Sequence, residues 1–274
     1  MSRLQIATYR FTGGNGISHY LGYNGPVPMP EIDYILADKF VIPPAIADQY
    51  RPKPLFLPRC YQANDSTLPI ARSVSRHDAG LPADKFVYCC FSNNFKITEE
   101  IFNAWMEILR RAGHSVLWLY ADNPISLKNL RAHAAKQGIE PNRLIFAERM
   151  EPEIYRARLA LADLFLDTYP YNAGTTASDA LRVGLPIVTL SGQTFISRMA
   201  GSLLQAIGLE EGITGSLSAY INLAVDLAFN KERYDAFRAK ADPLTWEKTL
   251  GDTPRFTKEL EDIYASIAIN AGNK

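Results

Sequence analysis

Little in this 274-residue chain points to a special compartment or to a bound metal. It has three cysteines, Cys60, Cys89 and Cys90, two of them adjacent. Adjacent cysteines rarely bridge each other, and an odd number of thiols suits a reducing compartment. No Cys-x-x-Cys pair and no pair of histidines at helical spacing occurs, so no zinc site is expected. Charge of one sign is not in excess: 29 Lys plus Arg balance 29 Asp plus Glu. The basic surplus of a nucleic-acid binder is therefore missing. No apolar run reaches the roughly 18 residues that a spanning helix needs. The first residues, Met-Ser-Arg-Leu-Gln-Ile, lack the basic and then apolar pattern of a secretory signal. A cytoplasmic protein with neither membrane nor nucleic-acid partner is expected. Several ligand motifs are absent as well. No GxGxxG follows a strand and opens a helix, and there is no Walker loop and no G-x-S-x-G elbow. A nicotinamide cofactor is not indicated.

What is present is a regular alternation of strands and helices. The first 80 residues are rich in turn signals, including Gly13-Gly14-Asn15-Gly16, Tyr23-Asn24-Gly25-Pro26 and Pro43-Pro44. Between them, residues 32–37 and 54–58 read as brief buried strands, and 71–84 reads as a linker. From residue 85 the pattern becomes periodic. Strands are expected at 85–91, 115–120, 143–146, 163–167 and 186–190. Helices are expected at 98–111, 125–137, 151–161, 174–183 and 195–207. Thr98 suits a helix cap, followed by Glu99 and Glu100 in the first turn. Five strands, apolar on both faces and each followed by a helix, imply a parallel sheet covered on both faces. An open doubly wound sheet fits five units better than an eight-fold barrel. The tail from about residue 217 to 271 reads as three helices interrupted at Pro243 and Pro254.

In an open parallel sheet, ligands bind beyond the carboxyl ends of the strands. The richest turn there runs from Thr168 to Asp179: Thr-Tyr-Pro-Tyr-Asn-Ala-Gly-Thr-Thr-Ala-Ser-Asp. Gly174, Thr175 and Thr176 open a helix, where free amides and the positive dipole end attract phosphate. Asp179, one turn further on, suits ribose hydroxyls. Lys96, in the turn Ser92-Asn-Asn-Phe-Lys96, faces the same crevice and suits a departing diphosphate. Tyr155 and Arg158, three apart on one helix face, suit a base that is stacked and hydrogen-bonded. Ordinary roles fit these residues too: a cap of small residues, a solvated lysine, and a surface Tyr–Arg pair. Of the four dispersed histidines, only His19, in a Gly-rich loop, invites a chemical role.

Four stretches, taken in order, resemble the O-GlcNAc transferase family with its SPINDLY-like members. They are Leu21-Gly-Tyr-Asn-Gly25 with residues 32–38; Phe91-Ser-Asn-Asn-Phe-Lys-Ile97; residues 115–119 with 143–146; and residues 161–168 through Gly174-Thr-Thr-Ala-Ser-Asp179 to residues 184–189. The resemblance implies a GT-B-like α/β fold. A Rossmann-like nucleotide-sugar lobe spans 83–244, with a partial N-terminal catalytic lobe at 1–82 and a C-terminal helix at 245–274. It implies inverting transfer of GlcNAc, or a related sugar, from a UDP-sugar to protein Ser or Thr. No metal or other cofactor is implied, in line with the absence of an Asp-x-Asp pair. By position, Lys96 matches the lysine at the diphosphate, and Thr175 with Thr176 matches the diphosphate pair. Asp179 matches the ribose aspartate, Arg158 an arginine near uracil, and Leu21 with Gly22 a loop touching the donor sugar. Asn93 stands for a Gln, Tyr155 for a His that stacks on uracil, Pro152 for a ribose-contacting Lys, and Gly174 for a His. The family's candidate base histidines and its tetratricopeptide repeats have no counterpart here. An alternative is therefore a truncated donor-binding module, or one half of a split transferase whose partner chain supplies the rest of the lobe.

Overall fold

The computed structural model describes residues 8–10, 17–27, 29–71, 74–121 and 123–272. The Gly13–Gly16 turn signal lies outside them. Among the described residues, ten strands form two sheets, accompanied by nine α-helices. The smaller sheet has the order β1 (Thr8–Arg10), β2 (Ile17–His19), β3 (Tyr34–Ala37), β4 (Lys53–Phe56). β1 runs antiparallel to β2, and the other pairs are parallel.

The larger sheet contains β5 (Phe86–Cys90), β6 (Ser115–Tyr120), β7 (Leu144–Ala147), β8 (Leu164–Leu166), β9 (Ile187–Leu190) and β10 (Ile213–Thr214). Every neighbouring pair is parallel, in the spatial order β7-β6-β5-β8-β9-β10. The order reverses between β5 and β8. That is the topological switch point, where an open α/β sheet leaves a crevice for a ligand. The expected doubly wound Rossmann-like sheet is thus present, with one strand more than the sequence pattern showed. β10 is two residues long and has no apolar run to mark it. It is held by the Thr214 hydroxyl, which donates to the Thr189 carbonyl at 2.8 Å.

The central strands are covered on both faces, as their unbroken apolar character requires. Val87, Tyr88, Cys89 and Cys90 have no exposed surface. α1 (Glu99–Arg111) begins where expected, because the Thr98 hydroxyl accepts the Ile101 amide. Its apolar stripe, from Ile101 to Leu109, is buried. Within it, Trp105 Nε1 donates to the Tyr220 hydroxyl (3.0 Å), which in turn donates to the Asp167 carbonyl (3.0 Å). α2 (Pro124–Lys136), α3 (Pro152–Leu159) and α4 (Thr175–Arg182) follow β6, β7 and β8.

Two expectations need correction. The helix expected over 195–207 breaks into a tight turn, Phe195–Ser197, and α5, Met199–Ile207. The break falls at Arg198, whose guanidinium reaches back to the carbonyls of Phe40 and Gly192. The tail holds four helices, not three: α6 (Leu217–Phe229), α7 (Lys231–Lys240), α8 (Pro243–Lys248) and α9 (Thr253–Gly272). Pro243 and Pro254 sit in first turns, where a missing N–H costs nothing. They start helices and do not interrupt them.

The chain crosses between the sheets twice. The first crossing, after β4, lays residues 65–70 over α3 and α4. There Arg182 donates to the Ser66 and Leu68 carbonyls, and Arg156 to the Pro69 carbonyl. The second is α9, which returns to the small sheet and packs Phe256, Leu260, Ile263 and Tyr264 against Tyr20, Leu36 and Leu57. The crossings touch: Asn64 Nδ2 donates to the Leu250 carbonyl and the Thr253 hydroxyl donates to the Asn64 carbonyl, both at 3.1 Å. Among the described residues, no helix is long and apolar enough to cross a membrane.

Candidate functional site

At the switch point, the turn after β5 meets the loop after β8. The segment 94–96 is a single 3₁₀ turn that carries Lys96 away from the β5 end. Lys96 Nζ donates to the Asn172 carbonyl at 3.0 Å and lies 3.8 Å over the Tyr171 ring. The lysine is half-buried. Burial lowers its pKa, and the Asp167 carboxylate opposes that shift. Asn172 is itself fixed, its side-chain amide donating to the carbonyls of Thr168 (2.9 Å) and Leu190 (3.3 Å). Thr98, the cap of α1, also donates from its hydroxyl to the Tyr169 carbonyl at 3.0 Å. The loop is therefore braced from β9 and from α1.

The loop ends in Gly174, the N-cap of α4. No side chain caps this helix. The first amide bonded within it is that of Ser178, to the Gly174 carbonyl at 3.0 Å. The amides of Thr175, Thr176 and Ala177 are thus open, at the positive end of the helix dipole. Gly174 is buried, and a Cβ there meets Met199 Cε at 2.8 Å and Gln62 Oε1 at 3.0 Å. The volume a side chain would occupy is already filled by these two groups. Thr175 is exposed and Thr176 half-buried.

Beside this helix start lies a cavity of about 300 Å³. Asn93, Tyr155, Arg158 and Thr176, all singled out from the sequence, line it together with the rings of Phe91 and Tyr120. Its far wall is the β7–α3 turn, residues 147–150, which the sequence reading passed over. Arg158 is buried, with its guanidinium 5.0 Å over the Trp118 ring. Burial lowers its pKa, opposed by Glu148, but a guanidinium stays charged in any such site. The Tyr155 phenol is hydrogen-bonded to the Thr176 side chain, and burial keeps it protonated. This bond joins the aromatic end of the cavity to the uncapped first turn of α4.

Asp179, one turn into α4, is half-buried. Burial pushes its carboxyl up to about 6, against the pull of Arg156 and Arg182. Two opposite pH effects follow. The folded carboxyl titrates above its ordinary 3.8, so its contribution to stability is full below 3.8 and is lost as pH rises through about 6. Asp167, pushed up to about 7, adds in the same direction. The ligand-free chain should therefore melt at a higher temperature at pH 5.5 than at pH 7.5. A sugar hydroxyl that needs the ionised Asp179 carboxylate should bind less well at pH 5.5 than at pH 7.5. Asp179→Asn should flatten the Asp179 part of both trends, checked by melting curves and UDP titrations in paired buffers.

Not every expected residue joins the cavity. Lys96, Gly174, Thr175 and Asp179 lie beside it and are not part of its walls, and neither are Leu21 and Gly22, which follow β2 on the small sheet. Leu21 adopts a left-handed backbone (φ 54°), and the Gly22 amide donates to the Tyr20 carbonyl at 2.7 Å. This is a tight, pre-shaped loop. His19 pins it, its Nε2 lying 2.6 Å from the Tyr23 carbonyl. A carbonyl only accepts, so Nε2 carries the proton. Nδ1 is buried with no partner among the described residues, and the ring has no exposed surface. His19 is a brace of the loop and not an accessible base. Among the described residues, no cluster of three or more His, Cys, Asp or Glu side chains could hold a metal ion.

A parallel sheet with its crevice at the switch point, a second sheet opposite, and an uncapped helix flanked by a lysine define a GT-B type of nucleotide-sugar fold. The profile of glycosyl transferase family 41 matches residues 63–260, and the chain belongs to that family. The "probable UDP-N-acetylglucosamine–peptide N-acetylglucosaminyltransferase SEC" of Arabidopsis thaliana is 37% identical over 252 residues, which is 89% of this chain and 26% of the relative. The corresponding enzyme of Caenorhabditis elegans is 31% identical, over 70% of this chain and 17% of its own length. The chain thus spans about a quarter or less of these relatives. Among solved structures, a mutant O-GlcNAc transferase of Thermobaculum terrenum superposes with a TM-score of 0.81 at 28% identity, covering 93% of this chain and 48% of that one. The Anabaena protein HepE, in complex with UDP, shares the fold at TM-score 0.61 and 16% identity, over 86% and 64% of the two chains. The expected family and fold are those found.

Proposed function

We propose that the chain binds a UDP-sugar and transfers GlcNAc, or a related sugar, to a protein Ser or Thr hydroxyl, without a metal and with inversion. The observation that carries this is the meeting of Lys96 with the loop that delivers the open amides of α4, beside an aromatic and Arg-lined cavity. The base stacks on Tyr155 and bonds Arg158, the ribose engages Asp179, and the diphosphate lies over Thr175 and Thr176. The acceptor oxygen forms a bond to the anomeric carbon as the bond from that carbon to the UDP oxygen breaks. The electron pair leaves with UDP. The growing negative charge falls on preorganised amides and the Lys96 ammonium, which need no reorganisation in the transition state. The acceptor's proton goes to a base outside the residues assigned here, since His19 is buried. The curated relatives' names, which specify UDP-N-acetylglucosamine and peptide, support this choice of donor and acceptor.

The test is UDP release from UDP-GlcNAc by the purified chain with a lysate acceptor. Release above the no-acceptor level supports transfer. UDP binding without release reassigns the chain to a donor-binding unit that turns over only with a second chain. Absence of UDP binding overturns the site. A smaller prediction concerns the base: Tyr155→Ala should weaken UDP binding about 10-fold, the scale of one lost base-stacking contact. Tyr155→Phe should retain most of the affinity, and calorimetric titration separates the two.

A further inference from the structure

The transfer step described above makes no use of Asp167, although it is the most deeply placed acid at the switch point. It directly follows β8, and its side chain has no exposed surface. One carboxylate oxygen, Oδ1, accepts the amides of Thr168 and Ala173, each at 2.8 Å. The other, Oδ2, accepts the Thr189 hydroxyl at 2.7 Å. Thr168 and Ala173 are the first and last residues of the loop that seats Lys96. One carboxylate therefore ties both ends of that loop to each other and to β9. The loop's interior then provides the Tyr171 ring and the Asn172 carbonyl, the two groups against which the Lys96 ammonium rests.

We propose that Asp167 is the positioning residue of the diphosphate site: its buried carboxylate closes the loop 168–173 into the shape that holds the Lys96 ammonium at the entrance to α4. The proposal rests on the donor-site reading above for its effect on UDP. The two backbone amides can only donate, and the Thr189 hydroxyl donates as well; an Asn would keep Oδ1 for the amides but would turn the Thr189 hydroxyl into an acceptor and remove the negative charge that attracts the Lys96 ammonium. The acid is also costly to keep there. Burial pushes it up to about 7, and its three donors and Lys96 pull it back. Asp167 cannot itself meet an acceptor hydroxyl, because both of its oxygens are occupied and enclosed.

Two measurements on the full chain test this. The first needs no ligand: nitrogen NMR of the lysine side-chain ammonium groups, with the Lys96 signal assigned by its loss in Lys96→Ala. Wild type should show a Lys96 ammonium protected from solvent exchange, and Asp167→Asn should lose that protection while melting cooperatively. A Lys96 signal unprotected in wild type, or unchanged by the Asn variant, overturns the proposal. Should Asp167→Asn fail to fold, Thr189→Val removes one of the three bonds and should reduce the protection in part; no reduction counts against the proposal. The second is a UDP-binding cycle. Asp167→Asn should weaken UDP about 10-fold in the wild-type background and less than about 2-fold in Lys96→Ala, the mark of two residues acting through one contact. Equal losses in both backgrounds would mean a general structural brace and would overturn it. Wild-type chain that binds no UDP refutes the donor site, and the ammonium signal alone then decides for or against Asp167.

Discussion

Lys96→Ala should lower UDP release by about two to three orders of magnitude, the usual cost of removing one preorganised donor from a developing anion. The structure makes this loss specific to chemistry. Lys96 makes one hydrogen bond, to the Asn172 carbonyl, and one ring contact, to Tyr171. The loop keeps its other ties, through Thr98, Asn172 and Asp167. The melting temperature should therefore fall by no more than a few degrees, in keeping with substitutions outside the core. Lys96→Arg should rescue little. The planar guanidinium fork is wider than an ammonium, and the space is bounded by the Tyr171 ring on one side and the Asn172 carbonyl on the other. Initial rates of UDP release for the three proteins, with their melting curves, check the prediction. A Lys96→Ala protein with wild-type rates would remove the lysine from the chemistry.

The second large effect is expected at Gly174. Gly174→Val places branched atoms where Met199 Cε and Gln62 Oε1 already stand, 2.8 and 3.0 Å from an ideal Cβ. Both neighbours are side-chain ends and can shift, but the site is buried and overpacking costs about 1–3 kcal/mol. The branched side chain also stands beside the open amides of Thr175 and Thr176, so UDP binding should be lost together with the stability. Gly113→Ala is the control. Its Cβ meets nothing within 4 Å, and the change should stay within about 0.5 kcal/mol. Denaturant melts and UDP titrations of both variants test the pair. Wild-type UDP affinity in Gly174→Val would show that the helix start does not grip the diphosphate.

The large sheet could be read because its strands are continuous apolar segments separated by amphipathic helices. The expected 115–120 strand is observed as Ser115–Tyr120, and the expected 98–111 helix as Glu99–Arg111 behind its Thr98 cap. The order of the strands could not be read. Only the fold shows that the ends of β5 and β8 are adjacent, and so that Lys96 meets a carbonyl 76 residues further along. Asn93, Tyr155, Arg158 and Thr176 were each visible as residue types at a strand or helix end, and the structure gathers them around one cavity. Asp167 was visible only as the last letter of an apolar run. Its meaning depends on three donors drawn from two segments, which no periodicity reveals. The short strands of the small sheet went partly unseen for a related reason. β2 is three residues, Ile17–His19, and it is defined by its pairing with β1 on one side and with Tyr34 and Ile35 of β3 on the other.

The contact between the two crossings has a mechanical consequence. Asn64 is bonded to Leu250 and Thr253, and on its other side its Oδ1 accepts the Ser178 hydroxyl of α4 at 2.6 Å. Both connections between the sheets thus run through one knot, anchored on the very helix whose first turn faces the crevice. A second tie lies apart from it, where Arg198 donates to the Phe40 carbonyl and the Ser202 hydroxyl donates to Asp38, so the small sheet is fastened to the large one at two separate places and neither alone can act as a free pivot. Asn64→Ala would undo one fastening and leave the other, so the halves should stay joined through Asp38 and Phe40.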